Sequence, residues 1–304
     1  MTTPLLLGLI GLALAQPVPA LLARMDWPYR APRAAIALWQ ALALAAILAV
    51  VGAGLSASLW LVVHEGVPNP DPAAWRVALH VAFFALTVVV VVRLTWSLLS
   101  VAVEVRAARR RHRAMVDLVG ARDAARRSVR ILDANEPLAY CVPGLDARVV
   151  VSRGALDSLS PEELDAVLAH ESAHLRARHD LVVDTFTALH RAFPRALRSD
   201  AALVSTRVLV ELLADDHARR RTGTTPLARA LVKLGSRPAP AGALGATSTL
   251  VRRIDRLEST TADDGLRHGA IEGAACYVLA AVVVLGPTFT LAVPWISSAW
   301  TTLS

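Results

Sequence analysis

Four apolar blocks limit what this chain can fold into. They run over about residues 4–22, 36–60, 77–99 and 274–295. Each is long enough for a helix through the hydrocarbon of a bilayer, which takes about 20 residues. The stretch between the third and fourth blocks is polar and rich in arginine. Of the 304 residues, 55% are hydrophobic, and they are gathered in these blocks instead of being spread through the chain. The expected fold is therefore a mainly α membrane protein. Three spanning helices lie in residues 1–103, a domain of helices plus a small β element in 104–270, and a fourth spanning helix with a short tail in 271–304.

The first block has the apolar character of a signal peptide. Met1-Thr2-Thr3 carries no positive charge, however, and Leu21-Leu22-Ala23 continues the apolar run past Pro17 and Pro19. A proline-kinked spanning helix fits better. Orientation follows from the connecting loops, because basic loops stay in the cytoplasm. Arg24, Arg30 and Arg33 follow the first block, and Arg106, Arg109, Arg110, Arg111 and Arg113 follow the third. The loop after the second carries His64, Glu65 and Asp71, with Arg76 at its far end. This places both termini outside, the 104–270 domain in the cytoplasm, and the chain in the cell membrane.

Arg93 falls inside the third block. It fits the level of the inner headgroups, with the helix continuing as a stalk through Arg113. A functional charge within the membrane is the rival reading. The net charge of +7 comes from arginines beside the membrane blocks, where anionic lipid accounts for them. No aromatic interleaving or zinc-finger spacing points to nucleic acid. The two cysteines, Cys141 and Cys276, form neither a plausible disulfide nor a metal motif.

The polar domain carries His170-Glu171-Ser172-Ala173-His174. On a helix, residues four apart share a face, so the two imidazoles can grip one ion. Glu171 then stands where a metal-bound water would give up a proton. Zn²⁺, one per chain, is the usual occupant. The helix is well signalled from about Pro161 to Arg178. Ser160 is a good N-cap, Glu163 completes a capping box, and Leu164, Val167 and Leu168 recur at helical spacing.

A third ligand is needed. In Glu211-Leu212-Leu213-Ala214-Asp215-Asp216-His217, Glu211 and Asp215 share a helical face. Glu211 can bind the ion while Asp215 orients a ligand histidine from behind. His217 and His179 are rival ligands. His217, Arg219 and Arg220 are candidate donors to a developing oxyanion.

Further elements are read as follows. Residues 104–135 form a basic helix, and 136–153 a β element turning at Pro143-Gly144. Helices cover 161–178, 181–193, 199–220 and about 249–258. A loop spans Gly235 to Gly245, and the chain breaks at Ala262-Asp263-Asp264-Gly265.

The motif His170-Glu171-Ser172-Ala173-His174, followed by Glu211-x-x-Ala214-Asp215, resembles gluzincin membrane proteases. These include the HtpX and CAAX-type enzymes and the BlaR/MecR antirepressor peptidases. Arg148 to Leu156 resembles the strand and turn those groups place before the motif helix. Leu138 to Gly144 resembles their edge strand, which often holds substrate by strand addition. The order of three helices, protease domain and fourth helix resembles the BlaR/MecR group most. That group carries an extracellular sensor which the given sequence lacks, and usually a cysteine where Ala214 stands. The resemblance implies a zinc endopeptidase cleaving a protein or peptide at the cytoplasmic face. The substrate it suggests is a transcriptional repressor, with a separate sensor protein as partner. Membrane-protein quality control and a silent signalling scaffold are the competing roles.

Overall fold

The computed structural model describes residues 2–64, 67–68, 74–124, 126–194, 200–235, 244–259 and 264–303. Helix α1 (Thr2–Ala15) breaks at Gln16, and α2 (Pro17–Leu22) starts on Pro17. Proline lacks the N–H that would continue the ladder, which explains the break. A short α3 (Trp27–Arg30) leads into α4 (Pro32–Val62), and β1 (Val63–His64) pairs with β2 (Val67–Pro68). Helix α5 (Ala74–Val119) has 46 residues, about 70 Å at 1.5 Å per residue. That is more than twice the roughly 30 Å of a bilayer core. The helix expected to continue through Arg113 does so, and α5 passes residue 103 without a break.

Four stretches are long and apolar enough to cross a membrane: Thr2–Leu22, Pro32–Ser58, Val77–Val119 and Ala270–Ala292. Large apolar side chains point outward there, among them Leu86, Val92 and Val278. In water that surface would be costly, whereas in lipid it is the expected exterior.

The stalk ends at Gly120, and the reading of 104–135 as one helix is corrected there. Strand β3 (Ala121–Arg122) and β4 (Val129–Leu132) follow instead. Then come β5 (Ala139–Val142) and β6 (Arg148–Ser152), joined through Gly144, whose φ of +155° suits glycine. The sheet order is β3-β4-β6-β5, with β4 parallel to β6 and β5 antiparallel to it. Strand β5 is thus an edge. Val149, Val150 and Val151 are all buried, because β6 is covered on both faces. Val149 and Val151 meet Val167, Ala155 and Ala230, while Val150 meets Val116 of the stalk.

Helix α6 (Arg153–Ser158) makes the turn after β6, capped by Ser152. Next are α7 (Pro161–Ala177), α8 (His179–Ala192), α9 (Ala201–Thr222) and α10 (Thr224–Gly235). Then come α11 (Leu244–Ser259) and α12 (Asp264–Leu303). Helix α10 has no counterpart in the sequence reading; it covers α7 through Leu227 and Ala230. Most of the expected Gly235–Gly245 loop, and the break at Ala262 and Asp263, lie outside the described residues.

The two halves share one apolar cluster. Tyr29, Leu38, Trp39 and Leu42 from the membrane side pack with Phe186, Leu209 and Leu212 of α8 and α9. The stalk also grips α8 along its length. Arg109 holds Asp180 and Asp184 at 2.9–3.1 Å, and Ser97 Oγ donates to the Ala188 carbonyl at 2.7 Å.

Candidate metal centre

Helix α7 begins as its sequence dictates. Ser160 Oγ accepts from the Glu163 N–H at 3.3 Å, and the Ser160 N–H donates to Glu163 Oε2 at 2.8 Å. Pro161 supplies the first turn. Lys233 of α10 adds a 2.6 Å contact to buried Glu163 and holds that carboxyl below the usual range. The helix ends at Arg178, left-handed at φ 51°. His170 and His174 lie one turn apart between these fixed ends, facing α9.

Glu211 of α9 meets both histidines. Its Oε2 lies 3.5 Å from His170 Nε2 and its Oε1 3.5 Å from His174 Nε2, and the two Nε2 atoms are 3.1 Å apart. Atoms held about 2.0–2.2 Å from one tetrahedral centre stand roughly 3.3–3.6 Å apart, so this triangle has the size of a zinc site. The donor set of two imidazoles and a carboxylate also suits zinc better than calcium or magnesium. These three residues are the group among the described residues able to hold a metal ion.

Each histidine has its own partner behind it. His170 Nδ1 lies 2.9 Å from Oδ1 of fully buried Asp215, approached obliquely to the ring's N–H direction. His174 Nδ1 lies 3.0 Å from Nδ1 of buried His179. Asp215 thus stands where the sequence placed it. His179, read as a rival ligand, sits one shell further out, against the ligand nitrogen's far side.

The electrostatics follow these partners. Burial acts to lower the His170 pKa, but the contacts with Asp215 and Glu211 outweigh it and raise the value to about 9. His174 is pushed down to about 4, chiefly by burial, with Glu211 only partly opposing. Burial also works to raise Glu211, yet His170 and Arg253 bring its pKa down to about 2. Glu171 is pushed up by burial, against the His170 charge and the N–H and thiol of Cys141 on β5. A raised carboxyl is a better proton carrier near neutral pH.

Arg253 of α11 is the residue the sequence reading missed. Its Nε and Nη2 donate to the two Asp215 oxygens at 2.7 Å, and its Nη1 lies 3.2 Å from Glu211 Oε2. One turn on, Arg256 pairs with Asp216, Nη2 to Oδ2 at 3.2 Å. The signal was an arginine pair at i, i+3 on an amphipathic helix, matching the adjacent Asp215 and Asp216. His217, Arg219 and Arg220 do not join the group. Among the described residues, no hydrogen bond or ion pair links them to His170, Glu171, His174 or Glu211, and the charged neighbours of His217 are Arg176, Arg220 and Arg221. Two residues past Asp215 is about 200° round the helix, which turns His217 away.

No curated protein and no solved structure matches this chain. The sequence profile described as Peptidase family M48 does match, over residues 105–269. That span covers more than half of the 304 residues and holds the histidines, both glutamates, Asp215 and Arg253 together. Its metalloprotease character agrees with a donor triangle of zinc dimensions, and on both grounds the chain belongs to peptidase family M48.

Proposed function

We propose that this chain is a multi-pass membrane zinc endopeptidase cleaving proteins at the cytoplasmic face. The observation that carries this is the convergence of His170, His174 and Glu211 with Glu171 next in sequence, directed toward edge strand β5. His170, His174 and Glu211 are the ligands. Zinc bound there would supply a polarised scissile carbonyl and a water acidified to a pKa of about 7. Glu171 accepts a proton on its carboxylate and delivers it to the leaving amine nitrogen. Asp215 keeps the His170 ring in register, and His179 does the same for His174. Arg253 keeps Asp215 and Glu211 charged; it is a positioning residue. The substrate backbone lies along the open edge of β5, which runs past Cys141 beside Glu171.

The basic loops after the first and third spans support the cytoplasmic side for residues 104–270, with both termini outside. A transcriptional repressor is one candidate substrate, resting on the resemblance to antirepressor peptidases. Misfolded membrane protein is the other. Substrate range separates them: one defined cleavage, or many.

The test is zinc content and cleavage of an unstructured protein such as casein, for wild type beside Glu171→Gln. About one zinc in both, with turnover lost by about 10²–10⁴-fold in the variant, is the expected result. Wild type that carries zinc but cleaves no better than the variant would leave the silent scaffold. A chain that takes up no zinc would remove the ligand assignment.

A further inference from the structure

The membrane half contains a cavity of about 730 Å³ that the peptidase reading does not use. Its walls are α1, α4, α5 and α8, with Leu42, Ala46, Val90 and Phe186 among the lining residues. The volume is within the roughly 300–1,000 Å³ of pockets that hold small molecules. The lining is almost wholly apolar, so the occupant must be too. At one end stands Arg93, whose Nε donates to the Ala192 carbonyl at 3.2 Å. Among the described residues, no acceptor takes its two Nη groups and no carboxylate pairs with it. Arg93 is exposed where it lines the chamber, so its Nη groups are open to an anion arriving from outside the helices.

From Arg93 the lining continues along α5 to Phe83. Ten residues of helix reach about 15 Å, half of a hydrocarbon core of about 30 Å. Cation and apolar slot thus match one amphiphile, in the leaflet nearer the metal centre. We infer that the cavity holds a single anionic phospholipid, its phosphate on Arg93 and an acyl chain between α1, α4 and α5. Guanidinium is suited to phosphate because its fork donates two parallel bonds.

The test is native mass spectrometry of the full chain, stripped of lipid in detergent and titrated with phosphatidylglycerol. Wild type is expected to take up one molecule preferentially. Arg93→Gln should weaken that uptake by about tenfold or more, the value of a charge-assisted bond, while Arg93→Lys recovers most of it. Ala46→Phe, which fills the slot without touching the charge, should also weaken it. Far-UV circular dichroism and the elution volume of each variant confirm that it is folded. Equal uptake by wild type, Arg93→Gln and Ala46→Phe would reduce the lipid to an unspecific annulus and overturn the proposal. Displacement of the phospholipid by an apolar peptide segment of a substrate would also overturn it, making the cavity a substrate site.

Discussion

His170 and His174 stand one turn apart on the same helix, yet their surroundings are opposite. Behind His170 lie a buried carboxylate and a guanidinium, Asp215 and Arg253. Behind His174 lies the ring of His179, whose pKa burial lowers. Burial works against charge on both imidazoles. The counter-charges decide the outcome: one histidine is driven to about 9 and the other to about 4. Before an ion binds, therefore, His174 is ready to donate a lone pair and His170 holds a proton. Half of the site is preorganised, and the other half is guarded by that proton.

The widest effect of this asymmetry is on pH. A cation must displace the His170 proton, because both cannot occupy Nε2. Raising the pH removes that competition. Zinc affinity should rise by about tenfold per unit from neutral pH to about 9, then level off. His174 adds no further step, since it is neutral throughout that window. Competition with a chromogenic chelator from pH 6.5 to 10 measures this. A flat profile would mean that the two histidines do not differ in charge.

Next in size is Asp215→Asn. Loss of an orienting partner behind a ligand histidine weakens metal binding by about 10–100-fold. The loss should be largest near pH 9. At neutral pH it shrinks, because without the carboxylate His170 no longer holds its proton so firmly. The neutral side gives a smaller effect: His179→Ala should weaken zinc by about tenfold, at the low end of that range, with an unchanged pH slope. Isothermal titration at pH 7 and 9 separates the two variants. Equal losses with equal slopes would show that the partners act by shape alone.

What could be read from the sequence divides along the same line between local and distant contacts. The capping box, the i, i+4 histidines and the Glu211–Asp215 spacing all lie within a few turns of one helix, so α7 and α9 were legible with their site residues. Arg253 was not, because it acts on Asp215, 38 positions away on another helix. Strand β4 was hidden for a related reason. Its four residues sit among arginines, and their partner is a parallel strand that begins 19 residues later. The oxyanion candidates His217, Arg219 and Arg220 rest on nearness in sequence; helix rotation turns His217 aside, while Arg219, four residues past Asp215, shares its face without a hydrogen bond to the ligands among the described residues. The apolar blocks announced spanning helices, but not the cavity they enclose.

The smallest effect isolates the helix from its chemistry. Ser160→Ala removes one cap bond of α7 and leaves the Glu163 carboxylate its contact with Lys233. Loss of an N-cap costs about 1 kcal/mol. His170 lies almost three turns from that end, held against α9 by Glu211 and Asp215, so fraying at residue 160 does not reach it. Thermal stability should therefore fall by a few degrees, with zinc affinity and its pH slope unchanged. Differential scanning fluorimetry beside the same chelator titration decides it. If the slope flattened as well, the His170–His174 difference would depend on the tension of the whole helix. The carboxylate behind His170 would then be only one of its causes.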